Sequence, residues 1–296
     1  MRTDVYIKDV LNRCDALKRS GMWLPEPAIQ PRVWLNNFDE YDRILAASLL
    51  ERFVFYDQKL TDILLSASFA SVADGLSKGP SAPPSEILHK ELMGAIFTPV
   101  RGERPNPTDS GNFLCRRARQ VQGVSESSIV EIDDALKAAE AGSCIVFVDD
   151  FIGSGDQFLS TWEMDFGGRS FRDIQIRTKF TCIYVSLVGT EFGIDNIHRN
   201  APTVAVCVTH KIDSRGTFHG IKTANPALHT QLDQLLRKYA PRLQPSEAYM
   251  LQDEYIVYGY KHRGLFFGFA HSIPDATLPI FWCKGQDNWE PLIERT

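Results

Sequence analysis

Hydrophobic residues in the first quarter of the chain recur at intervals of three and four positions. The series consists of Trp34, Leu35, Phe38, Ile44, Leu45, Leu49, Leu50, Phe53, Leu60, Ile63, Leu64 and Leu65. This spacing places the side chains on one face of a helix. Residues 1–75 are therefore predicted to be helical, with an apolar face that covers the domain that follows.

Three later segments are continuously hydrophobic and rich in β-branched residues, namely 144–148, 181–188 and 204–208. Uninterrupted runs of this kind are typical of strands buried on both faces of a parallel sheet. A helical pattern precedes the first run, and another separates the second from the third at residues 191–198. The alternation predicts an α/β fold in which a doubly wound parallel sheet is flanked by helices.

Capping and breaker residues mark the boundaries around these elements. Residues 94–100 predict a further strand that ends in a loop, and Ser110 is expected to cap a short helix after it. Ser128 followed by Glu131 has the form of a capping box for the helix before residue 144, and Gly142 is expected to end that helix. Residues 76–85, rich in Gly, Pro and Ser, are predicted to be a linker.

The last fifty residues are aromatic and lack the α/β alternation. Segments 255–260 and 264–269 flank a basic turn and predict an antiparallel β-hairpin, followed by an irregular tail that packs back on the core. The chain is thus predicted to have three parts: an N-terminal helical segment (1–78), an α/β core (86–245) and a C-terminal hairpin and tail (246–296).

The composition is that of a globular protein. The chain has 296 residues, of which 44% are hydrophobic and 23% charged, so it can bury a full core. The net charge of −5 argues against a broad basic surface that coats nucleic acid. A local basic contact with nucleic acid remains open, for example through Arg116, Arg117 and Arg119.

The six cysteines show neither C-x-x-C pairs nor zinc-ligand spacing with histidine. We therefore expect reduced thiols and a cytoplasmic protein without disulfides. The first residues lack the apolar stretch of a signal peptide, and no run of about 18 apolar residues predicts a membrane span.

One short segment has the residue pattern of a ligand site. The run 145–148 delivers Asp149 and Asp150 to the carboxyl end of a buried strand, where ligands of open α/β sheets bind. The turn that follows, Phe151-Ile152-Gly153-Ser154-Gly155, leads into a predicted helix at Asp156 and Gln157. Backbone N–H groups of such a turn and the positive end of the helix together favour a phosphate.

Two adjacent carboxylates at this position indicate a ligand group that they bind. Paired ribose hydroxyls are one such group, because each can donate a hydrogen bond to a carboxylate. A 5-phosphosugar would then place its phosphate in the loop 153–157 and its diol on Asp149 and Asp150. A divalent cation such as Mg²⁺, bridging a pyrophosphate, would also account for the excess negative charge. The metal contact of the two acids would then be indirect, through the ligand.

This segment resembles the PRPP-binding motif of type I phosphoribosyltransferases, which is an apolar strand, two acids, two mostly apolar residues, a small residue, Ser/Thr and Gly. Asp149 and Asp150 match the acidic pair, and Ser154 and Gly155 match the end of the loop. The whole chain resembles the phosphoribosyltransferase-like family of bacterial conflict systems, PRTase-CE. Segments 34–38, 148–157 and 272–282 carry that resemblance. It implies a role in anti-phage defence, as an effector in a multi-gene system such as a retron, with partner proteins from the same operon.

The chain departs from the type I pattern at three places. Purine-type transferases commonly carry an Asp where Gly153 stands, and that Asp works near the base. Asp156 adds a negative charge close to the expected phosphate, which costs affinity unless a cation offsets it. The pyrophosphate loop of the family has a loose match at Arg101 and Gly102, which are expected to bind the pyrophosphate.

Two functions remain open. In the first, the protein is an enzyme that transfers a phosphoribosyl group from PRPP or cleaves a nucleotide glycosidic bond, with Asp149 and Asp150 on the ribose. In the second, the same loop binds PRPP or a nucleotide and reports it to a partner protein without turnover. A P-loop ATPase is disfavoured because the chain has no G-x-x-x-x-G-K-[ST] motif.

Overall fold

The computed structural model describes residues 2–76, 94–101, 110–245 and 254–295. The predicted linker 76–85, apart from Leu76, and the predicted site residue Gly102 lie outside the described residues. The chain forms two compact units, the first made of residues 1–60 and 214–296 and the second of residues 61–213. These boundaries differ from the predicted ones at residues 78 and 245.

Helices and strands alternate along much of the described chain. The helices are α1 (Arg2–Arg19), α2 (Pro31–Leu35), α3 (Arg43–Leu50), α4 (Gln58–Leu76), α5 (Ser110–Gln122), α6 (Ile132–Glu140), α7 (Asp156–Glu163), α8 (Phe171–Thr178), α9 (Glu191–Asn200), α10 (Ile221–Ala224), α11 (Pro226–Tyr239) and α12 (Tyr255–Tyr258). The strands are β1 (Val54–Tyr56), β2 (Ile96–Pro99), β3 (Ile145–Ile152), β4 (Cys182–Thr190), β5 (Val204–Ile212) and β6 (Phe267–Phe269).

The second unit is built on a four-stranded parallel sheet in the order β2-β3-β4-β5. Its strands are in register, so that Pro99, Val148, Val185 and Cys207 lie side by side. The parallel sheet and the three buried runs are as predicted. The strand order follows the chain order, so the reversal that defines a doubly wound sheet does not occur among these described strands.

Helices cover both faces of this sheet. Residues of α6, α7, α8 and α9 form one hydrophobic cluster with alternate residues of the strands, among them Phe147 and Tyr184. On the other face, Phe69 of α4 stacks on Phe97, and the hydroxyl of Ser68 lies 2.6 Å from that of Thr209. Strand side chains alternate between faces, so both sets are buried, which explains the continuous hydrophobic runs.

The predicted capping box at Ser128 is wrong. Helix α6 begins at Ile132 with Glu131 as its N-cap, and Ser128 ends a short 3-10 turn instead. The cause is tertiary pairing, because the N–H of Val130 donates to the carbonyl oxygen of Phe97 at 2.9 Å. Gly142, with a φ of +84°, follows the end of α6 as predicted.

The first unit joins the two ends of the chain around one core. Trp34, Phe38 and Leu49 from the N-terminal segment share a hydrophobic cluster with Phe281 and Trp282. The buried residues of the N-terminal series from Trp34 to Phe53 therefore pack with the C-terminal tail inside this unit, whereas Leu64 and Leu65 of the same series belong to the second unit.

The predicted antiparallel hairpin at 255–260 and 264–269 is wrong. Residues Tyr255–Tyr258 form the short helix α12, and β6 pairs in parallel with β1, with Val54 opposite Phe267. Gly259, at a φ of +77°, redirects the chain after α12. Tyr255, Val257 and Tyr258 are all buried, so the segment follows the packing of its core rather than strand alternation.

No described helix is both long enough and apolar enough to cross a membrane. All six cysteines lie in the described part of the chain, and no disulfide joins them.

Candidate functional site

The predicted acidic pair lies on β3, which has a neighbouring strand on each side. Asp149 and Asp150 occupy the second half of the strand, which continues to Ile152, and they are only 3% and 6% exposed. The acids are thus inside the strand rather than after it. Successive side chains of a strand point to opposite faces, so the two carboxylates belong to different faces of the sheet.

Protein donors hold both oxygens of the Asp149 carboxylate. The hydroxyl of Tyr184 on β4 donates to Oδ2 at 3.0 Å, and the N–H of Asp150 donates to Oδ1 at 2.9 Å. Burial and the neighbouring Asp150 carboxylate raise the pKa of Asp149 well above its ordinary value. Burial and Asp149 likewise raise the pKa of Tyr184. Asp149 therefore keeps its proton to a higher pH than an ordinary aspartate.

Asp150 contacts the helix on the other face of the sheet. Ser110, the first residue of α5, donates its hydroxyl to Oδ1 of Asp150 at 3.0 Å. Sequence reasoning expected Ser110 only as a helix cap. The structure connects it to the candidate site across forty positions of the chain.

The glycine loop leads from β3 into α7 as predicted. Gly155 has a φ of +80°, in the left-handed region, and is the N-cap of α7, which begins at Asp156. A Cβ at Gly155 would lie 2.7 Å from the carbonyl oxygen of Gly193 on α9, and a Cβ at Gly193 would overlap the carbonyl of Gly153. The loop and the first turn of α9 therefore touch backbone to backbone, which only glycine allows.

Two polar side chains, one from the N-cap of α9 and one from the middle of that helix, fix this loop. Thr190 donates its hydroxyl to the carbonyl oxygen of Gly153, and the same hydroxyl accepts from the N–H of Gly193 at 3.0 Å. Asn196 donates to the carbonyl oxygen of Ser154 at 2.8 Å. Neither residue belongs to the sequence motif, so motif reasoning missed both.

Ser154 and Asp156 interact directly inside the loop. The hydroxyl of Ser154 donates to Oδ2 of Asp156 at 2.6 Å, and the N–H of Asp156 lies 3.4 Å from the same hydroxyl oxygen. Gln157, the second residue of α7, is exposed, and its carbonyl accepts from the hydroxyl of the buried Thr161 at 3.0 Å. The predicted loop residues 153–157 thus form one continuous structure at the start of α7.

Arg101 lies at the same edge of the sheet, just beyond the end of β2. Its N–H donates to the hydroxyl of Thr161 at 3.2 Å, and its guanidinium lies 3.6 Å from the sulfur of Met164. The guanidinium carbon is 6.0 Å from the centre of the Phe166 ring. Arg101 is therefore next to α7, but these contacts direct its side chain to the far end of that helix.

The basic helix α5 has internal partners. Arg117 pairs with Asp62 of α4, and Arg119 pairs with Glu126 at 2.6 Å. These contacts give both arginines a structural role within the second unit.

Direct metal binding does not fit Asp149. Both oxygens of Asp149 already accept from protein donors, and its raised pKa disfavours the anionic form that a metal requires. Within the described ranges, no three His, Cys, Asp or Glu side chains are grouped so as to hold a metal ion.

A family model covers nearly all of the chain. This model, PRTase-CE, matches residues 31–295. No curated protein matches the chain.

Proposed function

The chain belongs to the PRTase-CE family, and from this premise we propose that it binds PRPP or a nucleotide at the β3–α7 junction and acts as an effector in anti-phage defence. The first part of the proposal is supported by the geometry of the junction. The second part is supported by the family resemblance alone, which also implies partner proteins from a defence operon, for example of a retron.

One observation carries the binding proposal, namely the left-handed Gly155 between a central parallel strand and a helix start. This conformation lets successive backbone N–H groups of the loop point at one anion, and the helix dipole adds positive potential. A phosphate at the loop 153–157 would lie at the carboxyl edge of the sheet, where open α/β sheets bind their ligands.

The acidic pair supports the sugar half of the ligand. With the 5-phosphate at the loop, the ribose hydroxyls would approach β3, where Asp150 is the slightly more exposed acid. Asp149, held by Tyr184 on the other face of the sheet, would fix the backbone of β3 beside Asp150. In an enzyme, the negative charge of Asp150 would stabilise the cationic C1 that develops as the leaving group departs.

Arg101 and Mg²⁺ belong to the pyrophosphate end of the proposed ligand. Arg101 would have to turn from Met164 to reach a pyrophosphate beyond β2. Mg²⁺ would enter bound to the ligand, because Asp149 does not fit direct coordination.

A specific observation favours a second function, a sensing module that binds the same ligand without turnover. Gly153 stands where purine-type transferases carry an acid near the base, and Asp149 is fixed in a buried hydrogen-bond network. A site with these features can recognise a phosphosugar yet lack a group that moves a proton.

Incubation with PRPP labelled in its pyrophosphate, with a mixture of nucleobases present as acceptors for C1, tests both functions. Release of labelled pyrophosphate, or of free base from a nucleotide, would establish the enzyme. Saturable retention of intact PRPP or nucleotide without product would establish the sensor. If equilibrium dialysis at millimolar concentrations showed neither binding nor product, the proposed function would be wrong.

A further inference from the structure

The Ser154 hydroxyl can donate one hydrogen bond, and the carboxylate of Asp156 already accepts it. Ser154 Oγ lies 2.6 Å from Oδ2 of Asp156. A serine hydroxyl donates one hydrogen bond, so it cannot serve this carboxylate and a ligand phosphate at the same time. Any phosphate that uses Ser154 must displace Asp156.

A side chain from α9 holds the other oxygen of the same carboxylate. The amide nitrogen of Asn196 lies 3.4 Å from Oδ1 of Asp156 and 2.8 Å from the carbonyl oxygen of Ser154. An asparagine amide carries two N–H donors and can make both contacts together. Asp156 is therefore fixed at the first position of α7, where the helix dipole favours an anion.

We propose that Asp156 is an internal anion that occupies the proposed phosphate site at the loop 153–157 and determines which phosphates this site admits. This inference rests on the proposed function and adds a specificity-determining side chain to it. A phosphomonoester dianion has to displace the carboxylate from Ser154 and then lie beside a like charge. Ribose 5-phosphate is therefore disfavoured, whereas ligands with a pyrophosphate or a base gain further contacts that offset this repulsion.

The substitution Asp156→Asn tests the effect of the negative charge of Asp156 separately from the shape of its side chain. It keeps an oxygen that can accept from Ser154 and changes the shape of the side chain little. Calorimetric titration of the full chain with ribose 5-phosphate should show binding at least about tenfold tighter than in the wild type, or about 1.4 kcal/mol. Affinity for uncharged ribose should not change, because ribose carries no phosphate into the loop.

Glu163→Gln is the matched control. It removes the same charge from the last residue of the same helix, where Glu163 forms an exposed ion pair with Arg172 at 2.9 Å. Its affinity for ribose 5-phosphate should equal that of the wild type. Asp156→Ser is a second variant in case Asp156→Asn lowers the melting temperature, and it should shift ribose 5-phosphate binding in the same direction.

The possible outcomes separate this inference from the proposed function. If the wild type binds PRPP or a nucleotide but the uncharged variants bind ribose 5-phosphate no more tightly, the inference is overturned and the proposed function stands. If no phosphosugar binds to either protein, both are overturned. An equal gain for ribose and ribose 5-phosphate would also overturn the inference, because the effect would not depend on the phosphate.

Discussion

Two strand-to-helix junctions lie at the same edge of the second unit. They differ in how the first N–H groups of the helix are capped. At β4–α9, Thr190 ends the strand and caps the helix at once, accepting from the N–H of Gly193. At β3–α7, a three-residue loop intervenes, and the N-cap is the left-handed Gly155, which has no side chain to accept.

The difference supports the β3–α7 junction as the proposed ligand site. A capped helix start is stable by itself, whereas a helix start preceded by a glycine loop leaves N–H groups to be satisfied by something else. The capped junction also supports the other one, because Thr190 and Asn196 hold the carbonyls of Gly153 and Ser154.

The largest effect on activity and PRPP binding should come from the acids beside the β3–α7 junction. Asp149→Asn combined with Asp150→Asn should abolish biological activity and weaken PRPP binding at least about a hundredfold, since charge-assisted bonds contribute about 1.5–3 kcal/mol each. The protein should stay folded in a thermal melt, because an amide preserves the shape of each side chain.

The adjacent acids Asp133 and Asp134 provide the control. They lie exposed in the first turn of α6, and changing both to Asn removes the same charge from the same unit. That variant should bind PRPP like the wild type. Full activity of the Asp149/Asp150 double variant in a phage challenge would show that the site lies elsewhere, and the region from Arg101 to Arg119 would be examined next.

A methyl group at Gly155 should break the contact between the two junctions. Gly155→Ala places an L side chain in the left-handed region, at about 1–2 kcal/mol, and also overlaps the carbonyl of Gly193. Gly168→Ala is the control, since Gly168 has a φ of +83° but open space around it. Urea unfolding should show a larger loss for Gly155→Ala, and equal losses would contradict the close approach.

Removal of the Thr190 cap should lower both the unfolding free energy and the affinity for PRPP. Thr190→Val keeps the shape of the side chain and should cost about 1 kcal/mol of unfolding free energy. Ser170→Ala removes the cap of α8, which accepts from Asp173 at 3.1 Å, at a similar cost. Only Thr190→Val should also weaken PRPP binding, and equal affinities of the two variants would show that Thr190 does not hold the loop.

The smallest effect should be a change in the pH dependence of stability. Folded Asp149 has a pKa raised by burial and by Asp150, so between its ordinary value of 3.8 and that raised pKa the folded state binds more protons than the unfolded state. Wild-type stability should therefore fall as pH rises through this window. Asp149→Asn has no such proton, so its melting temperature relative to the wild type should increase from about pH 4 to neutral pH. Parallel pH profiles would contradict the raised pKa.

The elements predicted correctly from the sequence are those in which the local residue pattern matches the burial of the element in the folded protein. The runs in β3, β4 and β5 are hydrophobic at every position because helices cover both faces of the sheet. The turn at Gly155 is predictable because its backbone conformation requires glycine. In contrast, the C-terminal hairpin was predicted from aromatic residues that in fact pack among the N-terminal helices.

The supporting residues of the site were beyond sequence reasoning. Ser110, Tyr184 and Asn196 reach the motif across 35 to 42 positions, by contacts that exist only after folding. Thr190 carried a local signal, since it lies between a hydrophobic run and an acidic helix start, as an N-cap does. Its second bond, to Gly153, has no such signal.

The central claim is that the β3–α7 junction binds a phosphosugar, and a thermal shift tests it most directly. With PRPP and Mg²⁺ at about a hundredfold over Kd, binding adds about 2.7 kcal/mol, so the wild-type melting temperature should rise by several degrees. The Asp149→Asn, Asp150→Asn variant should show little or no rise. If no phosphosugar or nucleotide at millimolar concentration shifted the wild type, or if the variant shifted equally, the claim would be contradicted.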